Sequence, residues 1–280
     1  MLSYRHAFHA GNFADLLKHL ALSDVLHYMQ HKDKPFDYID THAGAGSYAL
    51  DDRMVDKNRE FESGIGPWLN LPLDEAPPAL RPILSLTRDT VDNVVRYPGS
   101  PQIAASYLRE QDRAFLFEMH HQDAQSLRGM CADDPRIRVD QSDGYAGLIR
   151  LLPRRSRRAV VLIDPSYEIK TDYRLAVEAV LAAHRRMANA IFLLWYPVVS
   201  RARVREMERA LVGSGIPRIQ RFEMGISADS QGLGMTGAGV FVINPPYQMK
   251  ARLGTCLAPL ARKLSRDGKL HLDLRELASE

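Results

Sequence analysis

The stretch that most constrains this chain is residues 159–167, Ala-Val-Val-Leu-Ile-Asp-Pro-Ser-Tyr. Its aliphatic run has no polar break and predicts a strand that is buried on both faces. Pro165 ends that strand, because proline has no N–H for a sheet and favours an extended conformation at Asp164. Ligands of open α/β sheets bind at the carboxyl ends of strands, so this acid is a candidate site residue. An ordinary strand followed by a turn explains these residues equally well.

Six other stretches predict further strands. They cover residues 36–40, 114–118, 136–139, 190–195, 219–223 and 240–243. Helical patterns lie between most of them, and an early helix is predicted to start at Asn12, a good N-cap residue, and to run to Gln30. This alternation predicts an α/β fold with a seven-stranded, mostly parallel sheet.

The interval between the first two predicted strands is too long for a single crossover helix. Residues 48–97 contain five prolines, with helical patterns over residues 61–69 and 80–95. We interpret this segment as an inserted helical subdomain within a single domain that spans residues 1–280.

Polar residues also follow the ends of other predicted strands. Asp40 is followed by a loop, residues 41–46, in which Gly44 and Gly46 allow a ligand to approach the backbone closely. The loop lacks the third glycine of a dinucleotide-binding motif, so it suits a smaller, nucleoside-like cofactor. Glu118 stands where a carboxylate commonly holds a ribose diol, and Asp143 suits the rim of an adenine pocket. Each acid alone could be a helix cap or a surface charge, but together they predict a nucleoside site.

The composition indicates an ordinary globular chain, with 45% hydrophobic and 25% charged residues and a net charge of +3. The two cysteines are far apart, and six of the ten histidines lie in the first 42 residues without a metal-binding spacing, so we expect no metal. There is no apolar run of the roughly 20 residues that a membrane span needs, and no signal peptide is evident. We expect a cytoplasmic protein without a membrane partner.

The order of these motifs resembles that of class I S-adenosylmethionine-dependent methyltransferases, which have a Rossmann-like fold. The tetrapeptide Asp164-Pro165-Ser166-Tyr167 is similar to the signature of enzymes that methylate exocyclic amino groups. More narrowly, almost the whole chain resembles the large-subunit ribosomal RNA adenine-N6-methyltransferase J family. The segments that carry this resemblance are residues 2–6, 9–12, 17–19, 40–46, 97–101, 170–173 and 194–198.

The resemblance implies that the chain methylates the N6 amino group of an adenine in 23S ribosomal RNA with S-adenosylmethionine. The expected partner is ribosomal RNA, protein-free or at an early stage of assembly, and the expected oligomeric state is a monomer. The residues implied to bind the cofactor are His19, His42, Gly44, Gly46, Ser100, Glu118, Asp143, Gly144 and Asp164. Those implied to face the RNA are Tyr4, His6 and Lys18.

The resemblance also implies a catalytic role for Asp164, Pro165 and Tyr167. We expect the Asp164 carboxylate and the Pro165 carbonyl to accept the two hydrogens of the adenine amino group, and Tyr167 to stack on the base. Ser166 stands where the family has proline, and we expect this loosening of the loop to lower activity without abolishing it.

Several alternatives remain open on the sequence alone. Residues 244–247, Asn-Pro-Pro-Tyr, match the aminomethyltransferase signature better, but they follow the last predicted strand, so we favour Asp164. Lys18 could be a plain surface lysine, and the arginines of residues 154–158 could either contact RNA or lie in a solvated loop. A protein glutamine or small-molecule amine methyltransferase and a non-catalytic RNA-binding protein are the alternative functions.

Overall fold

One eight-stranded sheet organises the chain in the computed structural model, which describes residues 9–50, 59–88, 94–229 and 234–279. Its spatial order is β10-β8-β9-β7-β6-β1-β4-β5. The strands are β1 (Asp37–Asp40), β4 (Arg113–Phe117), β5 (Ile137–Asp140), β6 (Ala159–Ile163), β7 (Ile191–Val198), β8 (Ile219–Gly225), β9 (Gly237–Ile243) and β10 (His271–Ala278). A separate antiparallel pair is formed by β2 (Ser47–Ala49) and β3 (Arg96–Pro98).

Six strands of the sheet run in one direction, and only β9 and β10 run against them. The carboxyl ends of β1, β4, β5, β6 and β7 therefore meet at one side of the sheet, which we call the carboxyl edge. The opposite side, where these strands begin, is the amino edge. The predicted α/β class and the mostly parallel sheet are confirmed.

Helices cover both faces of the sheet. Those in the described residues are α1 (Phe13–Gln30), α2 (Gly66–Leu69), α3 (Arg81–Arg88), α4 (Ser100–Tyr107), α5 (His121–Met130), α6 (Gly144–Leu151), α7 (Asp172–Arg186), α8 (Arg201–Gly213) and α9 (Met249–Leu264). Helices α1, α4, α5 and α9 contribute to the core on one face, and α6, α7 and α8 to the core on the other. Along β6, Val160 and Leu162 enter the first core and Val161 and Ile163 the second, which confirms that this strand is buried on both faces.

The number of predicted strands is wrong by one, because β10 was missed. This strand lies at the end of the sheet, where its one partner among the described strands is β8, and it carries charged residues such as Asp273 and Arg275 among its leucines. A partly exposed edge strand does not need the continuous apolar run that reveals a central strand. The preceding helix, α9, was also missed, and it contains Pro259, which normally argues against a helix.

The segment predicted as an insertion contains α2, α3 and two 3₁₀ turns, Glu60–Ser63 and Pro78–Leu80, and is bounded by the β2–β3 pair. It is less helical than expected, since Val95, predicted as helical, instead accepts a backbone hydrogen bond from Leu50 at 2.8 Å. The segment contacts the start of α1, where Ile65 N–H donates to the Gly11 carbonyl at 2.9 Å. The assignment of residues 48–97 as a subdomain of a single domain stays a prediction.

No helix among the described residues is both long and apolar enough to cross a membrane.

Candidate active site

The loop that follows β1 lies between the ends of its two neighbouring strands. Thr41 N–H donates to the Leu162 carbonyl of β6 at 3.1 Å, and Ala43 N–H donates to the Phe117 carbonyl of β4 at 2.8 Å. These bonds hold the backbone of the glycine loop at the carboxyl edge. Glu118, which follows β4, and Asp164, which follows β6, therefore flank the same loop, as the order of the motifs predicts.

Glu118 is fixed by backbone donors on both of its carboxylate oxygens. Oε2 accepts from Gly44 N–H at 2.8 Å, and Oε1 accepts from His120 N–H at 2.7 Å. Gly44 has a φ of +61°, a value that favours glycine, and a Cβ there would lie 2.2 Å from the Tyr48 hydroxyl. The second predicted glycine, Gly46, also has a positive φ, of +82°. Burial raises the pKa of Glu118, although both backbone hydrogen bonds oppose that shift.

Asp143 and Gly144 bring the start of α6 against the same loop. Asp143 Oδ1 accepts from Tyr145 N–H at 2.8 Å and from Ala146 N–H at 3.1 Å, so the acid is the N-cap of α6. A Cβ on Gly144 would lie 1.9 Å from the Thr41 carbonyl oxygen, so no other residue can bring the backbone this close. The helix-cap alternative is therefore correct for Asp143, and it does not conflict with a ligand at this rim.

Asp40 is fully buried beneath the loop. It accepts hydrogen bonds from Tyr38 Oη and Ser100 Oγ, both at 2.7 Å, and from His42 N–H at 3.2 Å. Burial raises the pKa of Asp40 to about 6 against the effect of the two hydroxyl donors. The Ser100 hydroxyl, predicted to contact a cofactor, is thus directed at Asp40 and connects α4 to the end of β1.

The two predicted histidines differ in their surroundings. His19 is fully buried and bonded through Nδ1 to the Tyr97 hydroxyl at 2.8 Å. His42 lies at the carboxyl edge, where its ring meets the Tyr145 ring edge-on at 5.0 Å between centroids. Loss of hydration lowers the pKa of His42 to about 4, so its imidazole is neutral at physiological pH.

Lys18 joins α1 to the end of β6. Its Nζ lies 2.6 Å from Asp164 Oδ2 and 2.9 Å from Asp15 Oδ1, and the side chain is only 5% exposed. The alternative of a plain surface lysine is therefore wrong. Burial lowers the pKa of Lys18, but the charges and hydrogen bonds of the two carboxylates together raise it well above its usual value. Asp15 was missed from the sequence, although its position one helical turn before Lys18 was a usable signal.

Asp164 also lies close to the loop after β1. Burial is the larger effect on both neighbours, and it raises the pKa of Asp40 and lowers the pKa of His42. The negative charge of Asp164 raises the pKa of both. On its other side, Asp164 borders a cleft of about 480 Å³. Residues of the cleft wall include Lys18, Asp164, Ser166, Tyr167, Tyr173 and Trp195.

Tyr167 is held in the wall of this cleft. It has a φ of +53°, and its hydroxyl donates to the Trp195 carbonyl. The centroids of the Tyr167 and Tyr173 rings are 4.5 Å apart. Tyr167 is only 9% exposed, so most of its ring is already packed against protein. Pro165 is buried beside it. Stacking of Tyr167 on a target base stays a prediction, and only the small part of the ring at the cleft could take part.

Two groups that the sequence offered as alternative site residues, residues 244–247 and the arginines of residues 154–158, lie at the opposite side of the sheet. Ile243, the last residue of β9, pairs with Phe192 at the beginning of β7, so Asn244 and Tyr247 follow at the amino edge. The arginine-rich segment before β6 also lies there, with Arg154 Nε 3.1 Å from Asp37 Oδ2 at the start of β1. The length of β6, about 16 Å, separates both groups from Asp164.

Tyr4 and His6 lie outside the described residues. Within residues 9–50, 59–88, 94–229 and 234–279, no three His, Cys, Asp or Glu side chains form a group that could hold a metal ion.

A sequence model of the family described as ribosomal RNA large subunit methyltransferase D, RlmJ, matches residues 33–275. The chain belongs to this methyltransferase J family. It is 40% identical over 283 residues to ribosomal RNA large subunit methyltransferase J of Escherichia coli K12, with 100% of both chains covered. It is 39% identical to the protein of the same name from Haemophilus influenzae, with 96% of each covered.

A solved structure has the same fold. Protein LPL1258 of Legionella pneumophila superposes with a TM-score of 0.87 at 33% identity, covering 96% of this chain and 98% of that one. The predicted family, fold class and enzyme class are confirmed, and the chain is a large-subunit ribosomal RNA methyltransferase. Membership of the methyltransferase J family does not favour the protein glutamine or small-molecule alternative. The roles of individual residues stay predictions.

Proposed function

We propose that this chain transfers the methyl group of S-adenosylmethionine to N6 of an adenine in large-subunit ribosomal RNA, with the adenine held in the cleft beside Asp164. The observation that carries this proposal is the position of Asp164, which lines that cleft and follows the strand whose Leu162 carbonyl accepts from Thr41 N–H of the glycine loop. An amino group in the cleft and a methyl donor at the loop would meet at this carboxylate.

The residues at the carboxyl edge suit a polar, nucleoside-like ligand. Ser142 Oγ and Tyr145 Oη are buried and have no hydrogen-bond partner among the described residues. Unsatisfied buried hydroxyls are costly, so a polar ligand that bonds to them would relieve the cost. Glu118 would hold the ribose hydroxyls, and Asp143 with Gly144 would border the adenine. The cofactor, when bound, supplies an electrophilic methyl group on a sulfonium.

The protein's part in the reaction is to orient the amino group and accept its hydrogens. The nitrogen is a poor nucleophile, because its lone pair is delocalised into the adenine ring. Lys18 occupies Asp164 Oδ2, which leaves Oδ1 to accept one N–H, and the Pro165 carbonyl would accept the other. These acceptors favour a pyramidal nitrogen with its lone pair directed at the methyl group. The nitrogen then loses one proton, which passes to Asp164 or to water.

The target adenine must leave its stack to enter the cleft. Extrusion of a base costs a few kcal/mol, and the aromatic wall formed by Tyr167, Tyr173 and Trp195 offers apolar surface in return. The expected substrate is accordingly an adenine in RNA that is still free of protein or in an early assembly particle.

The experiment is methylation of ribosomal RNA from a strain that lacks this enzyme, with labelled S-adenosylmethionine and nucleoside analysis of the product. We expect label in N6-methyladenosine of the large-subunit RNA and binding of S-adenosylmethionine by calorimetry. Label in protein glutamine, in another nucleoside, or in small-subunit RNA would contradict the proposal. The absence of cofactor binding would instead indicate a non-catalytic RNA-binding protein.

A further inference from the structure

The first turns of α8 carry three arginines at alternate positions, and helix geometry separates them. Residues two apart are about 200° apart around a helix, so Arg201 and Arg205 share one side and Arg203 points to the other. The structure agrees with this division. Arg201 and Arg205 line a cavity of about 790 Å³ on the side of β8 and β10, whereas Arg203 lines the cleft beside Asp164.

Arg201 anchors this end of the helix. Its guanidinium bonds to Glu223 at 2.8 Å and, through two nitrogens, to Asp229 at 2.7 and 2.9 Å. The start of α8 is therefore held against β8, and the direction of Arg203 is set by that anchor. Arg203 lies with its guanidinium carbon 5.4 Å from the centre of the Tyr173 ring. It has no acidic partner within salt-bridge distance in the part of the chain that the structure describes.

The mouth of the cleft combines this cation with an exposed apolar side chain. Val199 lines the cleft and is 52% exposed. Lys170 and Glu168 also line it, and both are exposed. Apart from the cluster of Lys18 with Asp15 and Asp164, the Lys, Arg, Asp and Glu side chains that line the cleft in the described part of the chain are Lys170, Arg203 and Glu168, whose formal charges sum to +1.

We propose that Arg203, with Lys170 as a second cation, binds a phosphate next to the target adenine, while Val199 contacts a neighbouring base. This inference rests on the proposed function and names the residues that would present the RNA to its site. Arginine suits the role because a planar guanidinium both stacks on an aromatic ring and forms paired hydrogen bonds with phosphate. Exposed apolar surface beside such a cation fits an unpaired nucleotide better than a regular duplex.

The test compares Arg203→Gln with Arg205→Gln, which removes the same charge from the same helix on the side away from the cleft. Filter binding to transcribed, protein-free large-subunit ribosomal RNA would be measured over about 50 to 200 mM KCl. We expect Arg203→Gln to weaken binding roughly five- to eightfold at 0.1 M salt and to reduce the slope of log Kd against log salt by about 0.7 to 0.9, the effect of one phosphate contact. Arg205→Gln should match the wild-type chain, and Arg203→Lys should retain most of the slope.

Initial rates of methylation supply the second readout. Arg203→Gln should raise KM for the RNA and leave kcat and the calorimetric affinity for S-adenosylmethionine unchanged. If thermal unfolding shows that Arg203→Gln is not folded, Lys170→Gln is tested in its place, since that side chain is exposed. Equal KM values and salt slopes for the Arg203 and Arg205 variants would overturn this inference alone. Failure of the wild-type chain to methylate the RNA would overturn the proposed function.

Discussion

Lys18 and Asp164 are 146 positions apart in the sequence, yet Lys18 Nζ lies 2.6 Å from Asp164 Oδ2. The pair connects the first helix of the chain to the end of the central strand β6. Asp15, one turn earlier on α1, contacts the same ammonium at 2.9 Å. One buried cation thus holds one buried and one partly buried carboxylate, and the acid proposed for catalysis depends on the first helix of the chain.

We expect Lys18→Met to reduce the free energy of unfolding by about 3 to 5 kcal/mol, because it leaves a buried carboxylate, Asp15, and a partly buried one, Asp164, without a counter-charge. Urea unfolding followed by circular dichroism measures this loss. The double variant Asp15→Asn/Lys18→Met should recover part of it, since only one unpaired carboxylate remains. Equal losses in the single and double variants would contradict the proposed coupling of the three residues.

Asp40 predicts a pH dependence of stability. Burial raises its pKa from 3.8 to about 6, so the folded chain binds more protons than the unfolded chain between those values. Stability from this group is therefore present below pH 4 and is lost as the pH rises through 6, by about 3 kcal/mol in total. Asp40→Asn should gain that amount relative to the wild-type chain between pH 4 and pH 7. A difference in unfolding free energy that does not change with pH would contradict the assignment.

Gly144 predicts a sharp steric effect at the candidate cofactor site. A methyl group there would lie 1.9 Å from the Thr41 carbonyl oxygen, so Gly144→Ala must push α6 away from the glycine loop. We expect a loss of about 1 to 3 kcal/mol in stability and weaker binding of S-adenosylmethionine by calorimetry. Gly129→Ala is the matched control, because a Cβ at that helical position meets nothing within 4 Å. If both variants bind S-adenosylmethionine with the same affinity, the contact between α6 and the glycine loop does not affect cofactor binding, and the prediction is contradicted.

Ser166 predicts a measurable gain from a single substitution. We expect Ser166→Pro to stabilise the chain by about 0.4 to 1 kcal/mol and to raise kcat, because proline restricts the loop that carries the Pro165 carbonyl. Among the described residues, the Ser166 hydroxyl accepts one long bond, of 3.5 Å, from Glu168 N–H, so little is lost with it. Ser166→Ala separates removal of the hydroxyl from the effect of the ring. A lower kcat for the proline variant would show that the loop must move during the reaction.

Much of the fold follows from local patterns in the sequence. The apolar run before Asp164 predicted a strand buried on both faces, and Asp40, Glu118 and Asp164 were visible as acids that follow such runs. Asn12 was correctly predicted as a helix cap, and its Oδ1 accepts from Ala14 N–H and Asp15 N–H at 2.9 and 3.0 Å. Each of these features is determined by a few residues that are neighbours in the sequence.

The rest depends on contacts between distant parts of the chain. The surroundings of Lys18 could not be predicted from helical periodicity, because its partner Asp164 belongs to a different element. The direction of β9 placed Asn244 at the amino edge, although its tetrapeptide matches the aminomethyltransferase signature better. Strand direction and order are decided by the packing of the whole sheet, and a short sequence motif does not predict them.

The central claim is that Asp164, and not the tetrapeptide at the amino edge, accepts a hydrogen of the target amino group. The most direct test is the rate of methyl transfer to unmethylated large-subunit ribosomal RNA by Asp164→Asn and by Tyr247→Ala, with folding checked by thermal unfolding. Tyr247 is 75% exposed, so its removal should leave both folding and rate unchanged. Asp164→Asn should lower kcat by a factor of roughly 10² to 10³, the usual effect of losing one placed electrostatic group. Wild-type kcat in Asp164→Asn, or loss of activity in a folded Tyr247→Ala, would contradict the account.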